Sequence, residues 1–385
     1  MPITRIDQLD LNQKRVLMRV DFNTPMDGTV ITDDARIRAA LPTLNTLLEA
    51  GCTVTLMSHL GRPKDQYEEA YSLKPVAQRL SQLIHRPVHM MELEANLPTK
   101  GQVSMLENLR FWPGEKKNDQ EFAQKLARFG DIYVNDAFGA AHRAHASIDA
   151  VARLFPVRAA GFLLAREVHY LRDQLAEPKR PYVAIMGGSK VSDKIGLIKH
   201  LMPRVDTIVV GGAMSYTFLS AQGVEVGDSR VETSFLNEAR DLMKECEATG
   251  VHLLLPLDHV VATAFDAQAD ATITLDQTIQ PGSMGLDIGP ETIHLYLSAI
   301  KDAGTIVWNG PMGVFEWDVF STGTISVAEA MAEAEGLTIV GGGDSAAAVR
   351  KADVESQIDH ISTGGGAALE LLSGIALPGL VALEG

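Results

Sequence analysis

The sequence predicts an α/β protein of two units with mostly parallel sheets, joined by a long helix. Short apolar runs alternate with stretches of helical period along both halves, as strands alternate with crossover helices. The endings of those runs change character midway, from arginine and histidine in the first half to glycine in the second. A length of 385 residues suits two domains better than one. The reading places a first domain over 1–155, a connecting helix over 156–180 and a second domain over 181–366.

In the first half, Val16–Val20 ends in Asp21-Phe22-Asn23-Thr24-Pro25, and Thr53–Met57 ends in Ser58-His59-Leu60-Gly61-Arg62-Pro63. Val103–Leu106 ends in Glu107-Asn108-Leu109-Arg110, and Ile132–Val134 opens a segment that runs to His142-Arg143-Ala144-His145. Ile37–Ala50, Leu73–Ile84 and Gln120–Phe129 carry helical spacing. Ligands of a parallel sheet sit beyond the carboxyl ends of its strands. Asp21, Asn23, His59, Arg62, Arg110, His142, Arg143 and His145 therefore share one edge, and Arg36 joins them from the start of the next helix. Converging cations suit a small, multiply charged anion. Any one of these side chains alone reads as well as a solvated arginine or a structural histidine, so the joint pattern carries the inference. His142 and His145 have a spacing that also suits a metal, but no cysteine or carboxylate partner stands nearby.

The stretch from Ala152 to Pro181 holds Pro156 and then an amphipathic run through Phe162, Leu164, Val168, Leu171 and Leu175. It reads as the helix between the units. Beyond it, Val183–Met186 leads into Gly187-Gly188-Ser189-Lys190, with Lys194 close behind and helical spacing from Val191. Thr207–Val210 leads into Gly211-Gly212, and Thr305–Trp308 into Asn309-Gly310-Pro311 and on to Glu316. Leu337–Val340 leads into Gly341-Gly342-Gly343-Asp344-Ser345, and Ile361 into Ser362-Thr363-Gly364-Gly365-Gly366, each with a helix following. Glycine turns along one sheet edge make a backbone-lined shelf where a base can lie flat and phosphates meet helix N-termini. Asp344 suits a Mg²⁺ contact, since that ion takes one or two carboxylates together with phosphate and water. Glu316 suits ribose hydroxyls. Each of these polar residues also reads as an ordinary loop residue.

Composition narrows the partners. A net charge of −15 argues against nucleic acid. Cys52 and Cys246 are far apart and fit a reducing cytosol. The opening Met1-Pro2-Ile3-Thr4-Arg5 lacks an apolar signal core, and no apolar run reaches membrane-spanning length. The expectation is a cytoplasmic monomer with small-molecule substrates. Standard nucleotide fingerprints are missing: there is no Gly-x₄-Gly-Lys-Ser/Thr loop and no Gly-x-Gly-x-x-Gly after a first strand.

The strings themselves resemble the phosphoglycerate kinase family. They are Arg19-Val-Asp-Phe-Asn-Thr-Pro25, Ser58-His-Leu-Gly-Arg-Pro63, Asn135-Asp-Ala-Phe-Gly-Ala-Ala-His-Arg-Ala-His145 and Gly187-Gly-Ser-Lys-Val-Ser-Asp-Lys194, followed by Trp308-Asn-Gly-Pro-Met-Gly-Val-Phe-Glu316, Gly341-Gly-Gly-Asp-Ser345 and Ser362-Thr-Gly-Gly-Gly366. The resemblance runs in order from about Arg5 to the last helix. It implies two doubly wound lobes that close to react, one for phosphoglycerate and one for Mg-nucleotide. It implies acid binding by Asp21, Phe22, Asn23, Arg36, His59, Leu60, Gly61, Arg62, Arg110 and Arg143. It implies nucleotide binding by Lys190, Lys194, Gly211, Gly212, Asn309, Pro311, Glu316, Gly342, Gly343, Asp344 and Ser345, with Asp344 at the metal. A tail over about 367–385 would pack back on the first lobe through Leu377–Leu380. The sequence departs from the family at Ile375, often lysine there, and at Ser215, often alanine.

The reaction implied is reversible, Mg-dependent transfer from 1,3-bisphosphoglycerate to ADP. The attacking oxygen is already ionised and the leaving group is a carboxylate, so no general base is needed. Positioning and charge stabilisation suffice, and Arg36, Lys194 and the turns at Gly342 and Gly364 are the expected catalytic groups. Two rivals are a nicotinamide-dependent dehydrogenase, disfavoured by the missing fingerprint, and a binding protein for phosphorylated sugars.

Overall fold

The computed structural model describes residues 3–384, and the chain divides into two compact units, Met1–His169 with Ala376–Gly385, and Tyr170–Ile375.

Six parallel strands make the sheet of the first unit, in the order Val88–Met91, Val103–Leu106, Thr53–Met57, Arg15–Arg19, Ile132–Asn135 and Arg158–Ala160. The central strand pairs on both sides, Val16 standing opposite Val54 and Ile132. Thr53–Met57 and Val103–Leu106 are buried throughout, because helices cover both faces of a parallel sheet, and such strands read as continuous apolar runs. Asp119 starts the helix Gln120–Ala127, its carboxylate accepting from Phe122 N at 2.8 Å. The helix expected over Ile37–Ala50 is two pieces, Ala35–Ala39 and Leu41–Glu49. Pro42 has no N–H to give to Arg38, so the first piece stops and the proline sits in the opening turn of the second.

The run expected as one helix over 156–180 is divided as well. Arg158–Ala160 joins the sheet edge, Phe162–Val168 is helical, and a π-helical turn follows over His169–Asp173. Gly161 makes the break. Asp136 packs where its Cβ would lie, and Thr43 Oγ1 and Asp136 Oδ1 accept from Phe162 N (2.8 Å) and Leu164 N (3.2 Å). Tertiary capping, invisible in the local pattern, fixes the helix start.

The second unit has parallel strands in the order His252–Leu254, Thr207–Val210, Tyr182–Met186, Thr305–Asn309, Leu337–Val340 and His360–Ile361. The first strand of this sheet in chain order lies at its centre, and the order reverses between Tyr182–Met186 and Thr305–Asn309, a doubly wound arrangement. The ends of those two strands, Gly187-Gly188 and Asn309-Gly310-Pro311, thus meet at the switch point. A small antiparallel sheet of Thr272–Ile273, His259–Ala262 and Met284–Ile288 is inserted before the strand Thr305–Asn309. Its two-residue edge strand is too short to announce itself in a sequence. Among the described residues no helix is long and apolar enough to cross a membrane.

Candidate active site

The edge of the first unit is organised by an arginine inside a strand. Arg19 closes Arg15–Arg19, is fully buried, and gives each nitrogen to a different neighbour. Nε donates to Ser147 Oγ at 2.8 Å, Nη1 to the Val20 carbonyl, and Nη2 to His59 Nδ1 at 3.1 Å. Ser147 Oγ donates to Glu115 Oε1 at 2.6 Å, so a buried carboxylate stands behind the buried guanidinium. A guanidinium only donates, so Nδ1 of His59 accepts and the ring proton lies on Nε2. Burial first, then Arg19, Arg110 and Arg143, hold His59 well below the usual histidine range. Burial and the same cations push His145 down to about 3. Glu115, 3.7 Å from His145 Nδ1, is beyond hydrogen-bond reach and already occupied by Ser147. Both imidazoles are neutral at pH 7.

Beside them Asp21 Oδ2 holds Arg36 Nη1 at 2.5 Å, while Asp21 Oδ1 is buried without a partner. Asn23 Oδ1 accepts from Gly61 N at 2.8 Å, and Arg110 Nη1 donates to Gly61 O at 2.6 Å. Gly61 has φ +60°, and a Cβ there would run into the ring of Tyr71. Arg110 Nε and Nη2 are buried with no partner. Burial, with Arg143 and Arg19 nearby, brings Arg110 down to about 10. Buried donors are normally satisfied, so this pair suits an incoming anion. Arg143 is half-buried and donates from Nε to His142 Nε2 at 3.2 Å. Arg62 is exposed and has no partner among the described residues. Phe22 and Leu60 differ in kind from the charged residues: both lie in the hydrophobic core, where Phe22 N donates to Ser58 Oγ at 2.9 Å and Leu60 O accepts from Asn108, so they support the edge from behind.

Sequence reasoning passed over Arg19, Asn108, Glu115 and Ser147 as site residues. Asn108 Nδ2 donates to Leu60 O at 2.7 Å and Tyr71 O at 2.9 Å, which fixes the loop before Arg62. The available signal was Arg19 itself, a charge at the end of an otherwise apolar run.

The second edge is mostly backbone. Gly187 N donates to Asn309 O at 2.9 Å, Gly188 N to Pro311 O at 2.9 Å, and Gly212 N to Met312 O at 2.8 Å. The three turns thereby form one surface. A Cβ at Gly212, whose φ is +66°, would strike the Gly188 backbone. Gly211 closes onto the sheet, its N–H bonding Met186 O at 2.8 Å. Lys194 Nζ donates to Asn309 Oδ1, and Asn309 Nδ2 to Gly341 O at 2.7 Å. Burial lowers Lys194, and Asp193 and Asp344 offset part of that. Ser345 Oγ accepts from Gly310 N at 2.6 Å and so ties the start of its helix to the neighbouring Asn309–Pro311 turn. Gly342, with φ +95°, opens the helix Gly343–Lys351, and Asp344 is exposed in its first turn. Lys190 and Glu316 are exposed at the rim. The Gly364 N–H is engaged by Ser362 Oγ at 3.2 Å, so Gly364 serves as a turn residue and its amide is not available to a phosphate.

A model of the family described as phosphoglycerate kinase matches residues 6–375. The chain belongs to that family. It is 53% identical over 386 residues to the phosphoglycerate kinase of Moorella thermoacetica, with 98% of each chain covered. Against that of Gloeobacter violaceus it is 51% identical, with 97% of each covered. The solved phosphoglycerate kinase of Coxiella burnetii superposes with a TM-score of 0.96 at 41% identity, covering 100% of this chain and 99% of that one. That of Pyrococcus horikoshii gives 0.84 at 32% identity, covering 99% and 98%. Magnesium suits the second edge of this family member: Asp344 offers one exposed carboxylate at a helix start, with no ion-pair partner among the described residues, and phosphate and water complete the shell of such an ion.

Proposed function

We propose that this chain catalyses reversible phosphoryl transfer from 1,3-bisphosphoglycerate to ADP, giving 3-phosphoglycerate and ATP. The acid is held on the basic edge of the first unit and the nucleotide on the glycine edge of the second. The family match over residues 6–375 carries this reading. Arg110's unpartnered donors and the glycine surface support the division of the substrates.

The chemistry asks for no general base, since the attacking ADP oxygen is ionised and the leaving group is a carboxylate. Neutral His59 accordingly acts as an Nε2–H donor to the acid. Arg36 and Lys194 stabilise charge on the moving phosphoryl group, and the N–H groups at the start of Gly343–Lys351 add to them. Asp344 would hold Mg²⁺, which would supply charge neutralisation to the phosphates. Drawing the two substrates together excludes water that would hydrolyse the acyl phosphate. The enzyme is a cytoplasmic monomer; its two cysteines are buried free thiols, which suits a reducing compartment.

The test is NADH loss dependent on ATP and 3-phosphoglycerate, coupled through glyceraldehyde-3-phosphate dehydrogenase, with and without EDTA. A rate that needs both substrates and is abolished by EDTA is expected. A folded, nucleotide-binding sample with no rate overturns the assignment.

A further inference from the structure

We propose that Thr324 and Asp287 are positioning residues for the nucleotide, because together they fix the Pro311–Gly313 run from which both neighbouring glycine turns hang. The inference rests on the functional reading above, in which that surface holds the nucleotide.

The run has two sides. Its carbonyls face the glycine turns: Pro311 O accepts from Gly188 N at 2.9 Å and Met312 O from Gly212 N at 2.8 Å. A displacement of Pro311–Gly313 would therefore move the turns after Tyr182–Met186 and after Thr207–Val210 together. Its amides face inward, and two of them share one acceptor. Met312 N and Gly313 N both donate to Thr324 Oγ1, at 3.0 and 3.2 Å. A hydroxyl oxygen has two lone pairs, and both are used. Thr324 is fully buried, in the first turn of the helix Thr322–Glu333.

That helix start is fixed in turn by a carboxylate. Asp287, 1% exposed, accepts from Gly323 N at 2.8 Å through Oδ2 and from Ile288 N at 2.9 Å through Oδ1. Gly313 and Gly323 both press against it, and a Cβ on either would overlap the Asp287 carboxyl. So Asp287 sets the place of Gly323, the helix start places the Thr324 hydroxyl, and the hydroxyl sets the run. Neither side chain has a part in the phosphoryl transfer itself. Their contribution is the shape of the surface, which makes nucleotide affinity the quantity they control.

The experiment compares Thr324→Val, which keeps the side-chain shape without the acceptor, with Thr324→Ser, which keeps the acceptor. KM for ADP and for 3-phosphoglycerate are measured separately on the full chain, in the two reaction directions. Two buried amides left unsatisfied predict a rise of about tenfold or more in the nucleotide KM of Thr324→Val. The 3-phosphoglycerate KM should stay within about twofold, and Thr324→Ser should match the wild type on both. A folded Thr324→Val with wild-type nucleotide KM overturns the proposal, as does a rise of both KM values together, or a Thr324→Ser that loses nucleotide affinity. Should Thr324→Val not fold, Asp287→Ala decides: it removes the acceptors of both Gly323 N and Ile288 N, so a selective rise in nucleotide KM supports the proposal and an unchanged value overturns it. A wild type inactive with ATP and 3-phosphoglycerate would instead sink the functional reading itself, so the two failures are distinguishable.

Discussion

The two edges are built by opposite means. On the first, charged side chains converge and a buried layer behind them carries the design: Arg19, Ser147 and Glu115 hold His59, and Asn108 holds the loop before Arg62. On the second, three glycine turns are bonded to one another through backbone, and Lys194 with Asn309 supplies most of the side-chain chemistry. A small acid with fixed charges is gripped by placed guanidinium groups, whereas a flat base and a phosphate chain need surface without side chains. Substitutions on the first edge should thus act through charge and its support, and those on the second through space.

The largest effect expected is at Arg36. Arg36→Ala should cost ~10²–10³ in turnover, by analogy with loss of a single transition-state donor. Its ion pair with Asp21 is half-exposed, so thermal stability should change little; a folded variant with wild-type turnover would remove Arg36 from the mechanism. Next comes the layer behind the charges. Ser147→Ala strips a hydrogen bond from buried Arg19 and should cost about 1.5–3 kcal/mol in urea unfolding, with the acid KM raised and the nucleotide KM unmoved. Equal shifts in both KM values would break the division between the edges.

The third effect is in pH. His145 lies at about 3 against an ordinary 6.5, a depressed folded-state value. Its contribution to stability is present above pH 6.5 and is lost as pH falls toward 3, because the unfolded chain takes up a proton that the folded chain refuses. The slope is about 1.4 kcal/mol per pH unit for one proton. Asp136, raised to about 7 by burial, works the other way, its contribution lost as pH rises through 7. Replacing His145 by Asn should remove one proton's worth of slope from the acid limb of ligand-free urea titrations; an unchanged slope would show that His145 is not the group. The smallest effect separates space from fold. A Cβ at Gly343 meets nothing within 4 Å and the backbone there is unstrained. Gly343→Ala should therefore leave stability unchanged or raise it by about 0.5–1 kcal/mol, yet weaken ATP in a calorimetric titration. Undiminished ATP affinity would mean that the ligand never approaches that glycine.

Most strand positions and their edge residues were legible because parallel strands are apolar end to end and stop abruptly at polar or glycine residues. Thr53–Met57, Val103–Leu106, Thr207–Val210 and Leu337–Val340 have the bounds that pattern predicts. Helix starts were less legible, since Asp136 and Thr43 cap Phe162–Val168 from far away in sequence. Charges were visible, but not their supports. Glu115 and Ser147 stand in polar stretches that carry no period, and only the fold brings them behind Arg19. Phe22 and Leu60 came with their motifs, yet their side chains belong to the core.

The chain leaves the first unit after His169 and rejoins it at Ala376. Gly379 N–H bonds Ala141 O at 2.9 Å, directly beside His142, and Leu377 and Leu380 are buried. During synthesis, all of Tyr170–Ile375 emerges before the residues that close this contact. The second unit is thus made before the contact that holds the loop carrying Arg143 can close.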